Sequence, residues 1–198
     1  MTTNKYKTSK QESEGEILPN KLNLNSKEDI EKAELEGFLY AYKILFDDLS
    51  PRTKFEVKYI LKIHKLALGH LYDFAGKTRT VNISKGGFMF PPALALDNAL
   101  KELDETILKS LPKNYNSEDQ LIKDIAMVHA ELLFIHPFRE GNGRTARLLA
   151  NLMAAKAGHK LLDLENFSKK KFDEYVKAVK LAASRDYSLM EKIIGSLF

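Results

Sequence analysis

Two apolar segments near the middle of the chain are separated by a polar loop that a single helix cannot cross. The stretch FIHPFREGNGRTARLLA (residues 134–150) runs through His136-Pro137 and two glycines, Gly141 and Gly143, before it becomes apolar again. Proline lacks an amide hydrogen and restricts the residue before it, so the first helix cannot continue smoothly. We therefore predict two helices joined by a short loop into which the His136 side chain projects.

Apolar residues recur at helical spacing over most of the remaining chain. Ser26 and Ser117 are predicted to cap helices, the latter in a capping box with Gln120, and Ser50-Pro51 to begin another. Gly158 is predicted to end the helix that follows the loop. The predicted helices cover residues 26–49, 51–74, 93–111, 117–135, 144–158, 167–183 and 186–197.

Residues 75–92 differ from the rest, because Thr78, Thr80 and Ile83 favour extended structure and Lys85 precedes two glycines. This segment predicts a short hairpin or flap. The fold class is therefore all-α, a mainly helical bundle with one short β-hairpin flap. Residues 1–15 are predicted to form a polar tail, and residues 16–198 a single domain.

Composition excludes several classes of protein. The 198 residues include no cysteine, which excludes disulfide scaffolds, thiolate zinc sites and cysteine nucleophiles and fits a reducing compartment. No apolar run approaches the roughly 20 residues that cross a bilayer, and the N-terminus has no signal-peptide core. These features predict a soluble cytoplasmic protein without a membrane partner.

A net charge of +4 raises the alternative of a basic module that binds nucleic acid or protein. The excess is small, however, because 31 basic residues are interspersed with 27 acidic ones. The one dense basic run, residues 168–180, is explained more simply as a solvated helix face. We therefore do not expect nucleic acid as a partner.

The central loop combines the residue types that phosphate chemistry requires. Histidine is the side chain best suited to proton transfer near neutral pH, which makes His136 a candidate base. Gly141 and Gly143 allow the backbone to approach a ligand, and the helix that follows presents free N–H groups and its positive dipole end. The loop therefore predicts an anion site beside a proton acceptor.

Charged side chains complete this predicted site. Arg144 and Arg147 lie three residues apart in the first turn of the helix and can form forked hydrogen bonds to phosphate oxygens. Glu140 is placed to hold a magnesium ion, which usually takes one or two carboxylates together with phosphate oxygens. Each feature alone also fits a solvated turn, but together they indicate transfer of a phosphorus group to a hydroxyl.

The residues HPFREGNGRTAR resemble the signature of the Fic (Fic/Doc) family, H-P-F-x-[DE]-G-N-G-R-x-x-R, at every specified position. The resemblance extends to residues 17–24, to IHKLALGHLYDFAGKTRTVNISKGG (63–87) and to VHAELLFIHPF, and covers most of 16–197. It implies a helical fold with a flap over the active site. It also implies a protein adenylyltransferase, a nucleotidyltransferase that moves AMP from ATP to a Tyr, Ser or Thr hydroxyl of a target protein and releases pyrophosphate.

The resemblance assigns a role to each matching residue. His136 would be the general base and Glu140 would hold Mg²⁺, while Phe138 would anchor the loop in the core. The target would pair with the flap by strand addition. The residues implied to bind ATP are Lys85, Gly86, Gly141, Asn142, Gly143, Arg144 and Arg147.

Many members of this family are restrained by a glutamate in the pattern [ST]-x-x-x-E-[GN], which pairs with the second arginine of the motif. No strict match occurs in this chain. Glu191 in the last helix is the candidate inhibitory residue in a degenerate version of the pattern, and Glu12 is a second internal candidate. The alternative is a separate antitoxin protein.

Two further alternatives concern the site itself. The same loop could support a kinase or the removal of AMP, although an intact Gly143 favours nucleotidyl transfer. A metal cluster of His64, His70, His129 and His136 is also conceivable, but histidines on amphipathic helices are more often core or rim residues.

Overall fold

The structure, a computed structural model, describes residues 17–85 and 88–198. This part of the chain contains eight α-helices and one two-stranded antiparallel sheet, which confirms the predicted fold class. The polar tail predicted for residues 1–15 lies outside the described residues. The helices are α1 (Lys27–Asp47), α2 (Val57–Leu68), α3 (Leu96–Thr106), α4 (Glu118–Ile135), α5 (Asn142–Lys156), α6 (Leu164–Lys170), α7 (Phe172–Leu181) and α8 (Ser188–Gly195).

Local signals place several helix ends correctly. The Ser26 hydroxyl accepts a hydrogen bond from the Asp29 amide at the start of α1, and Ser117 does the same for Gln120 at the start of α4. Only half of the predicted capping box forms, because the Gln120 side chain donates to Asp124 instead. Gly158 follows α5 with φ +85°, the left-handed conformation typical of a helix end.

The predicted start of the second helix is wrong. Residues 51–56 are not helical, and α2 begins only at Val57. The Val57 amide donates to the carboxylate of Asp104 at 2.8 Å, so a residue of α3 supplies the cap that the local sequence lacks. The helix therefore starts where a distant side chain satisfies its first free N–H group.

Two other predicted helices are interrupted. The segment 93–111 contains α3 between two short 3-10 helices, at 93–95 and 108–110. The segment 167–183 divides at Lys171, whose backbone is not helical, into α6 and α7. This break allows α7 to bury Tyr175 and Ala178 independently of α6.

The core surrounds the two helices that border the central loop. Ten residues of α4 and ten of α5 are buried, against α1 and α2 on one side and α7 and α8 on the other. The loop between α4 and α5 is therefore held at both ends by the most buried helices of the fold. No helix within the described ranges is both long and apolar enough to cross a membrane.

The flap is shorter than the sequence predicts. Strands β1 (Ser84–Lys85) and β2 (Phe88–Met89) pair antiparallel, with Ser84 opposite Met89. One further hydrogen bond, from the Phe90 amide to the Ile83 carbonyl, extends the pairing toward the helical body.

Candidate active site

His136 is the helix-capping residue of α4, and its backbone adopts the left-handed conformation, with φ +51° and ψ +58°. This conformation is uncommon for a residue other than glycine and marks a position that the surroundings must hold. The imidazole Nδ1 lies 3.1 Å from the Leu133 carbonyl oxygen. A carbonyl can only accept, so Nδ1 carries the proton and Nε2 keeps its lone pair. His136 is therefore in the tautomer that a general base requires.

The flap covers one face of this imidazole. The Phe90 ring stacks on it with the ring centroids 3.9 Å apart and the planes 19° apart. Burial lowers the pKa of His136 to about 4, and the positive charges of Arg79 and Lys85 act in the same direction. The Leu133 carbonyl and the Glu140 carboxylate oppose this shift. The ring is thus neutral at physiological pH and able to accept a proton.

The loop after His136 is anchored in the core, as predicted for Phe138. The Phe138 side chain is fully buried and stacks on His64 at 3.8 Å. The Asn142 side chain forms two hydrogen bonds with the Phe138 backbone, both 2.8 Å. His64 accepts from the Gly76 amide at Nδ1, so its Nε2–H donates to the Glu140 carbonyl at 2.9 Å. The Asn142 amide group and His64 therefore shape the loop from within.

The start of α5 forms an anion-binding arrangement of amides. Gly141 has φ +78°, and a Cβ placed there would lie 2.8 Å from Leu68 Cδ1. Its carbonyl accepts from Thr145, which begins the helix. The amide N–H groups of Asn142, Gly143 and Arg144 have no acceptor among the residues that the structure describes. They and the helix dipole favour a negative charge at this end.

Glu140 and Arg144 belong to a network that reaches α1. The Arg144 guanidinium donates to Glu34 at 2.6 Å and to Glu140 at 3.3 Å, and it lies over the Phe38 ring. Glu34 is buried and also accepts from the Tyr72 hydroxyl at 2.7 Å. The Glu140 carboxylate is about half exposed, and its Oε1 accepts from the Gly141 amide. A carboxylate and an arginine thus stand beside the amides of α5.

Arg147 borders a cleft of about 290 Å³ next to this network. A Cβ at Gly143 would lie 3.2 Å from Arg147 Nη1, which places the guanidinium beside the α5 amides. Tyr42, Asn151 and Glu165 also line the cleft. Arg147 is therefore placed to contact a ligand that extends from the anion site into the cleft.

Buried groups behind the cleft orient Arg147. His129 donates from Nδ1 to the Ala146 carbonyl and accepts the Tyr175 hydroxyl proton at Nε2, over 3.2 and 2.5 Å. Burial raises the pKa of Tyr175 to about 12, while the charge of Arg147 at the same hydroxyl lowers it. Both ring nitrogens of His129 are therefore bonded inside the core. In the described ranges no group of three His, Cys, Asp or Glu residues could hold a metal.

No ion pair joins Glu191 to Arg147 among the described residues, and Glu12 lies outside them. Glu191 lies in the first turn of α8. The acidic residue whose field reaches Arg147 is Glu165 of α6, although Lys169 is its main partner and the main cause of its lowered pKa. The inhibitory role of Glu191 stays a prediction, and Glu165 is a candidate that the pattern search missed.

The flap contributes Lys85, whose charge acts on His136. Gly86, predicted beside it, lies outside the described residues. Sequence reasoning missed Glu34, Tyr72 and Arg79. Glu34 and Tyr72 become part of the site through contacts between residues 38 to 110 positions apart, so local patterns could not identify them.

The buried histidines make the stability of the fold depend on pH. Burial lowers the pKa of His64 to about 4 and that of His129 to about 3. In the unfolded chain each has a pKa near 6.5, so below that pH the unfolded state binds more protons. Stability is therefore complete above about pH 6.5 and decreases as the pH falls toward the folded-state values. We expect a loss on the order of 2 kcal/mol per histidine between pH 7 and pH 5.

Urea denaturation at both pH values measures this loss. The variant His129→Gln should retain less of the pH dependence than the wild type. Equal free energies of unfolding at pH 7 and pH 5 would contradict the assignment of both buried rings as neutral.

The chain is similar to known proteins over most of its length. The profile of the Fic/DOC family matches residues 54–154. Protein adenylyltransferase VbhT of Bartonella schoenbuchensis is 28% identical over 143 residues, and protein adenylyltransferase Fic of Drosophila willistoni is 30% identical over 162 residues. These alignments cover 72% and 81% of this chain but only 30% and 32% of the relatives. The chain thus spans about a third of the length of these relatives.

A solved structure shares the fold. The BepC protein of Bartonella tribocorum, determined with bound AMPPNP, superimposes with a TM-score of 0.73 over 91% of each chain, at 20% sequence identity. At this identity the likeness concerns the fold alone. It agrees with the helical body and the small sheet described above.

Proposed function

The chain belongs to the Fic/DOC family, and from this membership we propose that it is a protein adenylyltransferase. It would transfer AMP from ATP to a hydroxyl of a target protein. In this reaction the hydroxyl oxygen forms a bond to the α-phosphorus, the bond to the pyrophosphate oxygen breaks, and His136 takes the hydroxyl proton. The names of the related proteins, VbhT and Fic, support the assignment.

One observation carries the proposal, which is the position of the base beside the anion site. The Nδ1–H of His136 is committed to the Leu133 carbonyl, so the only free lone pair of the ring is on Nε2. Six residues later the amides of α5 begin, at the end of a loop that is anchored at Phe138. A hydroxyl bound at Nε2 and a phosphate bound at the amides would therefore lie at the two ends of one short, anchored loop.

The other residues of the motif would bind the nucleotide. The amides of Asn142, Gly143 and Arg144 would surround a phosphate, while Gly141, whose own amide donates to Glu140, would supply the left-handed turn before them. The Asn142 side chain stays bonded to the Phe138 backbone. Arg147 would contact the outer phosphates from the cleft, and Arg144 would also bind these phosphates. Lys85 and Gly86 would border the nucleotide from the flap.

Glu140 is the residue that we propose for Mg²⁺. Its carboxylate is about half exposed and is directed to the start of α5, where phosphate would lie. This donor set fits magnesium, which prefers few carboxylates and keeps phosphate oxygens and water as its other ligands. When bound, the ion would neutralise charge on the phosphates. Arg144, which contacts the same carboxylate, keeps Glu140 oriented.

The proposed partner is a target protein whose extended segment pairs with the flap in the manner of strand addition. The antiparallel pair of β1 and β2 supports this mode of binding, because a target segment can add to an existing strand. Phe90, the residue after β2, stacks on His136, so a target on the flap would lie near the base. We further propose a cytoplasmic setting, which agrees with ATP as the co-substrate and with a chain that has no cysteine.

Restraint of the activity would act on Arg147. The candidates are Glu191, Glu12, Glu165 and a separate antitoxin protein. Glu165 is favoured among the internal ones because it lines the same cleft as Arg147. Removing the responsible carboxylate should increase transfer, so Glu191→Gly and Glu165→Gln can be compared side by side.

ATP labelled on the α-phosphate or on the γ-phosphate tests the proposed reaction. Each form is incubated with the protein, Mg²⁺ and a cell lysate. We expect label in protein only from the α position. Transfer of the γ label alone would make the chain a kinase, and release of AMP from modified protein would make it a deAMPylase. No transfer of either label would favour a non-enzymatic module that binds protein or nucleic acid.

Gly141→Ala should separate the anion site from general backbone strain. Both Gly141 and Gly158 have positive φ, so alanine at either position costs about 1–2 kcal/mol. Only at Gly141 would the added Cβ collide with Leu68, whereas nothing lies within 4 Å of Gly158. We expect Gly141→Ala to lower AMP transfer by roughly 100-fold and Gly158→Ala to leave it nearly unchanged. Equal activities in the two variants would argue against the amides as the phosphate site.

A further inference from the structure

Arg79 is a buried cation at the junction of the flap and the loop that carries His136. Its side chain is only 4% exposed, and no carboxylate pairs with it in the described ranges. Burying a charge without an opposite charge beside it costs free energy, so the groups that bind the Arg79 guanidinium indicate its role. All of these partners are backbone carbonyls.

The first set of contacts joins Arg79 to the backbone of the candidate base. The Arg79 Nε donates to the His136 carbonyl at 2.8 Å, and the Arg79 amide donates to the Pro137 carbonyl, also at 2.8 Å. Both carbonyls follow the last turn of α4, where the negative end of the helix dipole favours a cation. His136 is in the left-handed conformation, and these bonds help to hold it there.

The second set of contacts joins Arg79 to both ends of the flap. Nη1 donates to the Val81 carbonyl at 2.7 Å, before β1, and Nη2 donates to the Pro91 carbonyl at 2.5 Å, after β2. Between these points the flap carries Phe90, which stacks on the His136 ring. One guanidinium therefore connects the entry of the flap, its exit and the base.

We propose that Arg79 is a positioning residue that fixes the flap relative to His136, so that the surface for the target and the proton acceptor form one rigid unit. The planar fork of arginine suits this task, because its donors point at carbonyls in three directions at once. Lysine, a point charge on a flexible chain, cannot hold all three. The expected effect of Arg79 on kcat rests on the proposed AMP transfer. The expected effect of Arg79 on the position of the flap does not.

Arg79→Lys keeps the charge and removes the fork. We expect kcat for AMP transfer from α-labelled ATP to fall by about 100-fold, the effect of misplacing reacting groups by about 1 Å. The KM for ATP should rise far less than kcat falls, because the α5 amides, Glu140 and Arg144 are untouched and only Lys85 and Gly86 move with the flap. Arg185→Lys, at a side chain that is 71% exposed, is the matched control and should change neither value.

Hydrogen exchange supplies a readout that does not depend on activity. The Phe90 amide bonds to the Ile83 carbonyl and the Ala93 amide to the Asn82 side chain. In folded Arg79→Lys both amides should exchange faster than in the wild type, while amides of α5 keep their protection. Unchanged exchange at these amides, or a raised KM with unchanged kcat, would overturn the proposal.

If Arg79→Lys does not fold, the hydrogen bonds of Arg79 can be tested in the wild-type protein. The Nε–H of Arg79 should exchange far more slowly in NMR spectra than that of exposed Arg185, since it is buried against the His136 carbonyl. Equally fast exchange would refute the proposal that Arg79 fixes the flap relative to His136. A wild type that transfers no AMP would refute the proposed function alone. The amide exchange and the Arg79 Nε–H exchange would still test whether Arg79 fixes the flap.

Discussion

Replacing His136 with alanine is expected to lower AMP transfer by about 100- to 10,000-fold, the usual contribution of a general base. The Nε2 lone pair is the only free proton acceptor on this ring, since Nδ1–H is bound to the Leu133 carbonyl. Binding of ATP should change little, because the phosphate-binding amides belong to α5. The variant therefore separates proton transfer from nucleotide binding.

Incorporation of the α label into lysate proteins measures the transfer, and a fluorescent ATP analogue measures the affinity. His159→Ala is the matched control, because His159 is a histidine on the surface with its side chain 32% exposed. A His136→Ala variant that transfers AMP at the rate of the control would show that another group takes the proton. A parallel loss of ATP affinity would instead assign His136 to nucleotide binding.

Phe138→Ala is expected to destabilise the fold by about 3–5 kcal/mol, as truncation of a buried phenylalanine does elsewhere. The ring is completely buried and stacks on His64, which itself holds the Glu140 carbonyl. Its loss leaves a cavity at the point where the loop is attached to the core. The loop should loosen as well, so AMP transfer should fall even at temperatures where the variant is folded.

Urea denaturation at pH 7 measures this effect. Phe172→Ala provides the control, because that side chain is 58% exposed and its loss should change stability by about 0.5 kcal/mol or less. Phe138→Leu should lose less than Phe138→Ala, because it keeps most of the apolar volume. Equal losses in Phe138→Ala and Phe172→Ala would mean that the loop is not anchored through this ring.

Much of the fold could be predicted because its signals are local. Helical periodicity, the serine caps at Ser26 and Ser117 and the glycine stop at Gly158 each act within one or two turns of the chain. The break at His136-Pro137 is likewise a property of adjacent residues. These local features are sufficient to predict a loop between two helices without any tertiary contact.

The errors occurred where a distant residue decides the outcome. The start of α2 depends on Asp104, which lies 47 positions after Val57. The surroundings of Arg144 depend on Glu34, which lies 110 positions before it. No local pattern marks Glu165, which the fold brings to the cleft that Arg147 borders.

The sequence by itself determined the helical fold class, the presence of a flap and the composition of the candidate site, because adjacent residues in one loop supply the base, the anion-binding amides and the charges. Only the tertiary structure decided how these parts are held. Burial places a neutral His136 under Phe90, and Arg79 connects that histidine to both ends of the flap. The physical reason is that burial and the pairing of buried polar groups arise only when segments distant in sequence are packed together.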